Sequence, residues 1–126
     1  MFRIDPLSRQ PVYEQLIEQL EKLVLTGLLP PDSQLPSVRS LSMELSINPN
    51  TIQKAYSDLD VRGIIYSVPG IGCFVAKNAA DILKGYMRRK MDTVRQLAED
   101  LALAGIPEEE LIHVIHSVYE ERGVSL

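Results

Sequence analysis

Asn50, Gln53, Lys54 and Ser57 fall on one side of a short helical stretch whose other side is Ile52, Ala55, Tyr56 and Leu59. Asn and Gln amides can bond bidentately to adenine edges, and a lysine ammonium can serve guanine or a phosphate. The outward side is therefore chemically suited to reading base edges in a major groove. Asn48 is a good helix cap and Pro49 suits the first helical position, so the stretch begins there. The free N–H groups of such a helix start, with Asn48, Asn50 and Thr51 beside them, make an anion site for a backbone phosphate. A polar helix face standing alone is ordinarily just solvated, so the weight of this reading rests on the elements around it.

Those elements are consistent with one another. Ser37 caps a preceding short helix that turns Val38, Leu41 and Leu45 inward and ends around Ser46. The three-residue link Ser46-Ile47-Asn48 joins it to the polar-faced helix, which is a helix-turn-helix signature. Gly63 closes the second helix. The apolar stretches Ile64–Val68 and Cys73–Val75 then flank Pro69-Gly70-Ile71-Gly72 and predict a β-hairpin with a glycine-permissive tip, which makes the motif a winged one. Upstream, Val12, Tyr13, Leu16, Ile17, Leu20, Leu23 and Val24 recur at helical spacing over residues 11 to 26, and Phe2 and Ile4 suggest a short strand stopped by Asp5-Pro6.

The net charge of −4 over 126 residues argues mildly against a polyanionic partner, but the distribution matters more than the total. Between Ser37 and Lys77, Arg39, Lys54, Arg62 and Lys77 stand against Glu44, Asp58 and Asp60, a local net of +1. With 45% hydrophobic residues, no long apolar run, no secretory leader and a single cysteine, Cys73, the chain is expected to be globular and cytoplasmic.

Lys77-Asn78 marks the expected boundary, with a winged helix-turn-helix domain over residues 1–77 and a helical hairpin over 78–126. One long helix is expected over residues 79 to 104, a break at Gly105 and Pro107, and a second helix to about 122. Together they carry more apolar side chains than two helices can cover. Tyr86, Val94, Leu97, Leu101, Leu111, Ile115 and Val118 are therefore expected to pair the chain with a second copy about a two-fold axis. Glu109, His113, His116 and Glu120 lie on one stripe of the last helix, but a lone stripe is more often an exposed surface, and no metal or other cofactor is expected. No nucleophile–base pair or phosphate loop supports catalysis.

The stretch from Pro11 to Val75 resembles the GntR family of bacterial regulators: P-V-Y-E-Q-L, L-P-S-V-R-S-L, N-T-I-Q-K-A-Y-S-D-L, R-G-I-I-Y and G-I-G-C-F-V stand in family order. The short tail and the run I-N-P-N-T-I-Q-K-A-Y resemble its YtrA-type subfamily. The resemblance implies a homodimeric regulator, most often a repressor, bound to double-stranded operator DNA. It implies operator contact by Arg39, whose place as third residue of a short helix also suits a groove or phosphate contact. It further implies contacts by Asn50, Thr51 and Gln53, and a minor-groove approach at Gly70. Pro49 departs from the pattern, since many relatives carry a contacting arginine or serine there. Two other readings stay open: a winged helix that binds protein, and a sensor whose small-molecule pocket is the dimer interface.

Overall fold

Six helices and one two-stranded hairpin make up residues 2–123, the part described by the computed structural model of this chain. The first helix, α1, spans Val12–Leu25 and buries Leu16, Leu20 and Val24, the inward positions of its 3.6-residue period. Helix α2 spans Val38–Leu45, with the Ser37 hydroxyl accepting from the Ser40 N–H at 3.0 Å. Helix α3 spans Pro49–Val61, with Asn48 Oδ1 accepting from the Asn50 N–H at 2.8 Å. Between these two helices Ser46 adopts a left-handed conformation, φ 54°, which reverses the chain within three residues. Strands β1, Ile65–Val68, and β2, Gly72–Val75, pair antiparallel from Ile65 opposite Val75 to Val68 opposite Gly72.

Residues 32 to 35 run beside β2 as a third, irregular strand. The Asp32 N–H donates to the Val75 carbonyl at 2.8 Å, Val75 N–H to Ser33 at 2.9 Å and Leu35 N–H to Cys73 at 2.8 Å. Two four-residue strands alone are marginal in water, so this extra ladder is what makes the wing a fixed part of the domain. The core joins Leu16, Leu20, Leu35, Leu41, Ile52, Leu59, Ile64 and Val75 across helices and wing.

The expected strand at Phe2–Ile4 is absent. That segment is extended but lies along α1, where side chains satisfy its backbone in place of a partner strand. Gln19 exchanges two hydrogen bonds with Arg3, at 2.8 and 2.6 Å. Gln15 accepts from the Asp5 N–H and donates to the Asp5 and Gln10 carbonyls. Gln15 is buried, which is tolerated because its amide is fully engaged.

The expected helix over residues 79 to 104 is two helices, α4 over Ala79–Arg88 and α5 over Lys90–Leu103. Arg89 keeps helical dihedrals, φ −63° and ψ −22°, yet interrupts the regular ladder between them. No proline or glycine stands at the junction; three consecutive cations, Arg88, Arg89 and Lys90, do. Helix α6 spans Glu108–Glu121, with Glu108, Glu109 and Glu110 in its first turn, where the helix dipole favours negative charge.

The chain divides into two units, Met1–Tyr86 and Met87–Leu126. Ala79 and Leu83 of α4 are buried in the core shared with α1, α3 and the wing, so the first unit extends past the boundary expected at Lys77. In the second unit neither α5 nor α6 has a single buried residue among those described.

Candidate nucleic-acid interface

Helix α3 is held on three sides. Ile52, Ala55, Tyr56 and Leu59 are buried as its periodicity requires. The Tyr56 hydroxyl donates to the Pro36 carbonyl at 2.6 Å, fixing α3 to the turn that launches α2. Burial, then the proximity of Cys73, pushes the Tyr56 phenol far above its ordinary pKa, so it remains a donor at any physiological pH. At the far end, Arg62 bonds Glu21 of α1 at 2.8 Å and Asp58 at 2.8 Å. Burial works against the Arg62 charge, but the hydrogen bonds and charges of Glu21 and Asp58 more than offset it and hold the guanidinium above its usual value. Glu21 is itself buried, and the Arg62 group lies 5.1 Å from the Tyr86 ring centre.

What remains outward on α3 is polar. Asn50, Gln53, Lys54 and Ser57 are all exposed, and the Gln53 amide donates to the Ser57 hydroxyl at 3.1 Å. Thr51, in the first turn, is half-buried. Arg39 is exposed as the second residue of α2, one place earlier than the sequence reading set it. Gly70 stands at the wing tip with φ 76° and open space around its α-carbon, so backbone there can approach a surface closely.

Two of the expected contact residues are used inside the domain. The Asn48 oxygen is taken up in capping α3, although the residue itself stays exposed at the helix start. Lys54 is not an outstretched charge either: its ammonium sits 3.8 Å above the ring of Tyr13, on α1. A cation is drawn to an aromatic face by the ring's quadrupole, and Tyr13 lies one helix away on the side toward which Lys54 turns. Of the four cations counted between Ser37 and Lys77, Arg62 is paired with two carboxylates, which leaves the exposed Arg39, Lys54 and Lys77 to carry the positive charge of this stretch.

Sequence reasoning missed the groups that bind the parts together: Gln15, Gln19, Glu21, Gln34 and the pair Tyr66–Asp32, whose oxygens are 2.9 Å apart. That bond, burial and the Asp32 charge raise the Tyr66 pKa. Two glutamines one helical turn apart beside an extended segment are a readable signal for the first pair. The others have none, because their partners lie far away in sequence. Cys73 is half-buried in β2, 3.4 Å from the Ser67 hydroxyl. On α6, His116 pairs with Glu120 at 2.8 Å, and among the described residues no three His, Cys, Asp or Glu side chains gather as a metal site would need.

In the second unit, Val94, Leu97, Leu101, Leu111 and Ile115 line an apolar groove of about 530 Å³ between α5 and α6, and Val118 is exposed. Tyr86 is not among the residues that line this groove. It lies in the first unit, half-buried against Arg62.

Residues 12–75, the span from α1 to the end of the wing, match the family "Bacterial regulatory proteins, gntR family". Over 112 residues, 88% of this chain and 86% of the relative, the sequence is 40% identical to the HTH-type transcriptional repressor YtrA of Bacillus subtilis. The chain belongs to the GntR family. It is a DNA-binding transcription regulator and not an enzyme, and the subfamily resemblance read from its sequence is matched by YtrA itself. Among solved structures, a transcriptional regulator from Oenococcus oeni is similar with a TM-score of 0.73 and 30% identity, covering 94% of this chain and 98% of that one. The DNA-binding domain of AraR in complex with operator ORX1 is similar with a TM-score of 0.53 and 36% identity over 60% of this chain and 93% of that one. No described helix of this GntR-family chain is long and apolar enough to cross a membrane.

Proposed function

We propose that this GntR-family regulator is a cytoplasmic repressor that binds an inverted-repeat operator as a homodimer. The N-terminal unit grips the DNA and α5 with α6 pairs the two copies. The observation that carries the first half is the exposed polar face of α3, flanked by Arg39 and the wing tip, in a domain similar to one solved on an operator. A protein-binding surface would want apolar anchors on that face, and between Asn50 and Ser57 it offers none. Asn50 and Gln53 are the base-edge readers. Thr51 and the capped helix start meet phosphate, and Gly70 brings the wing to the minor groove.

Selection of bound sequences from random DNA tests this. The expected motif is an inverted repeat with half-sites about 10–10.5 bp apart, one turn of the duplex. A non-symmetric motif overturns the two-fold model. Gln53→Ala should relax preference at one position per half-site, by about 1–3 kcal/mol, and leave the other positions as they were. An unchanged motif would remove Gln53 from the readers.

Arg39→Ala checks the other side of the motif. No carboxylate among the described residues pairs with this guanidinium, so the fold loses little without it. Operator binding should weaken by about 1–3 kcal/mol while the melting temperature stays near that of the parent. Early unfolding would make Arg39 a structural residue.

A further inference from the structure

We infer that Gln34 is a positioning residue for the wing tip, holding the loop of residues 69 to 71 at a fixed place beside α3 so that it reads the minor groove in register with the helix. The inference rests on the operator-binding reading above.

The ladder that residues 32 to 35 add to β2 stops at Cys73. Beyond that point the hairpin is two strands and a turn closed by the Ile71 N–H on the Val68 carbonyl at 3.0 Å. A turn of this size, with left-handed glycines on both sides of Ile71 (Gly70 φ 76°, Gly72 φ 143°), has little stiffness of its own. The Gln34 side chain carries the attachment onward. Its backbone pairs opposite Phe74, and its amide reaches along the strand to donate to the Ile71 carbonyl at 3.1 Å.

The fit is close. A Cβ at position 72 would lie 2.7 Å from the Gln34 amide nitrogen, so the amide occupies the space that the missing side chain of Gly72 leaves. Ile71 itself is 64% exposed. A large apolar side chain held outward at a tethered tip is suited to pressing on sugars or between base steps in a minor groove. Gln34 is therefore to the wing tip what Tyr56 is to α3, a single side-chain hydrogen bond that fixes where a reading element stands.

Gln34→Met keeps the length and removes the donor without adding charge. Backbone amide relaxation in the DNA-free protein is the first readout. Order parameters at Gly70, Ile71 and Gly72 should fall from rigid values, about 0.85, toward the flexible range below about 0.6, with the melting temperature unchanged. The second readout is preference among sequences at the base pairs flanking the positions read by α3. It should fall about two- to tenfold, the worth of one ordinary hydrogen bond, with the half-site core unaltered. Gln34→Arg, which keeps N–H donors at similar reach, should restore both; preference ratios are the measure because an added charge strengthens all sequences alike. A tip that stays rigid in Gln34→Met overturns the positioning role. A loosened tip with unchanged flanking preference overturns its part in reading. A parent protein that selects no sequence at all would instead sink the operator reading, and the relaxation data would still decide whether Gln34 holds the tip.

Discussion

Leu97→Glu combined with Ile115→Glu is expected to yield a folded monomer that has lost about a hundred- to ten-thousandfold in operator affinity. The scale is that of converting two linked binding events into one. Both positions line the groove between α5 and α6, and both are substantially open to water, Leu97 at 56% and Ile115 at 49%. A carboxylate at either site is thus tolerable in an isolated chain. Once a partner helix covers it, the same carboxylate becomes an unpaired buried charge, which costs far more than the lost apolar contact. Val94, Leu101, Val114 and Val118 on the same two helices remain open as well, so the uncovered surface is continuous rather than scattered. Sedimentation equilibrium of the parent and the double variant, followed by titration with operator DNA, is the measurement. A double variant that still dimerises, or a parent that is monomeric at micromolar concentration, removes α5 and α6 as the pairing surface.

The second large effect concerns α4. Leu83→Ala should cost about 2–5 kcal/mol of stability, as deletion of a buried leucine side chain generally does. Leu83 is fully buried in the same cluster as Leu16, Ile64 and Val75, although the sequence sets it in the tail, beyond the wing. Leu97→Ala is the matched control and should leave the melting temperature of the monomeric form nearly unchanged, because its side chain has no such enclosure. By the same argument, a chain cut after Lys77 should fail to fold, whereas one cut after Arg88 should fold. Circular dichroism melts of these four variants and the parent separate the cases. If Leu83→Ala melts with the parent, α4 is an appendage and the boundary belongs at Lys77 after all.

The sequence alone determined whatever depends on residues close together in the chain. The apolar period placed α1. Ser37, and Asn48 with Pro49, set the starts of α2 and α3, because a cap acts on N–H groups two or three residues away. Glycines at 63, 70 and 72, all at positive φ, marked the end of α3 and the bend of the wing. The polar face of α3 and the uncovered apolar sides of α5 and α6 were legible for the same reason, since a helix shows its two faces in its own period. Tertiary structure decided the pairings that only approach in space can make. Lys54 turns to Tyr13, 41 residues upstream; Arg62 spans 41 residues to Glu21, and Gln34 spans 37 to Ile71. Leu83 became core because α4 meets surface that α1, α3 and the wing leave open, and nothing in its own period says which apolar face will find a partner within the chain. Each of these partnerships depends on which helices and strands lie side by side in the folded chain, and no local period encodes that.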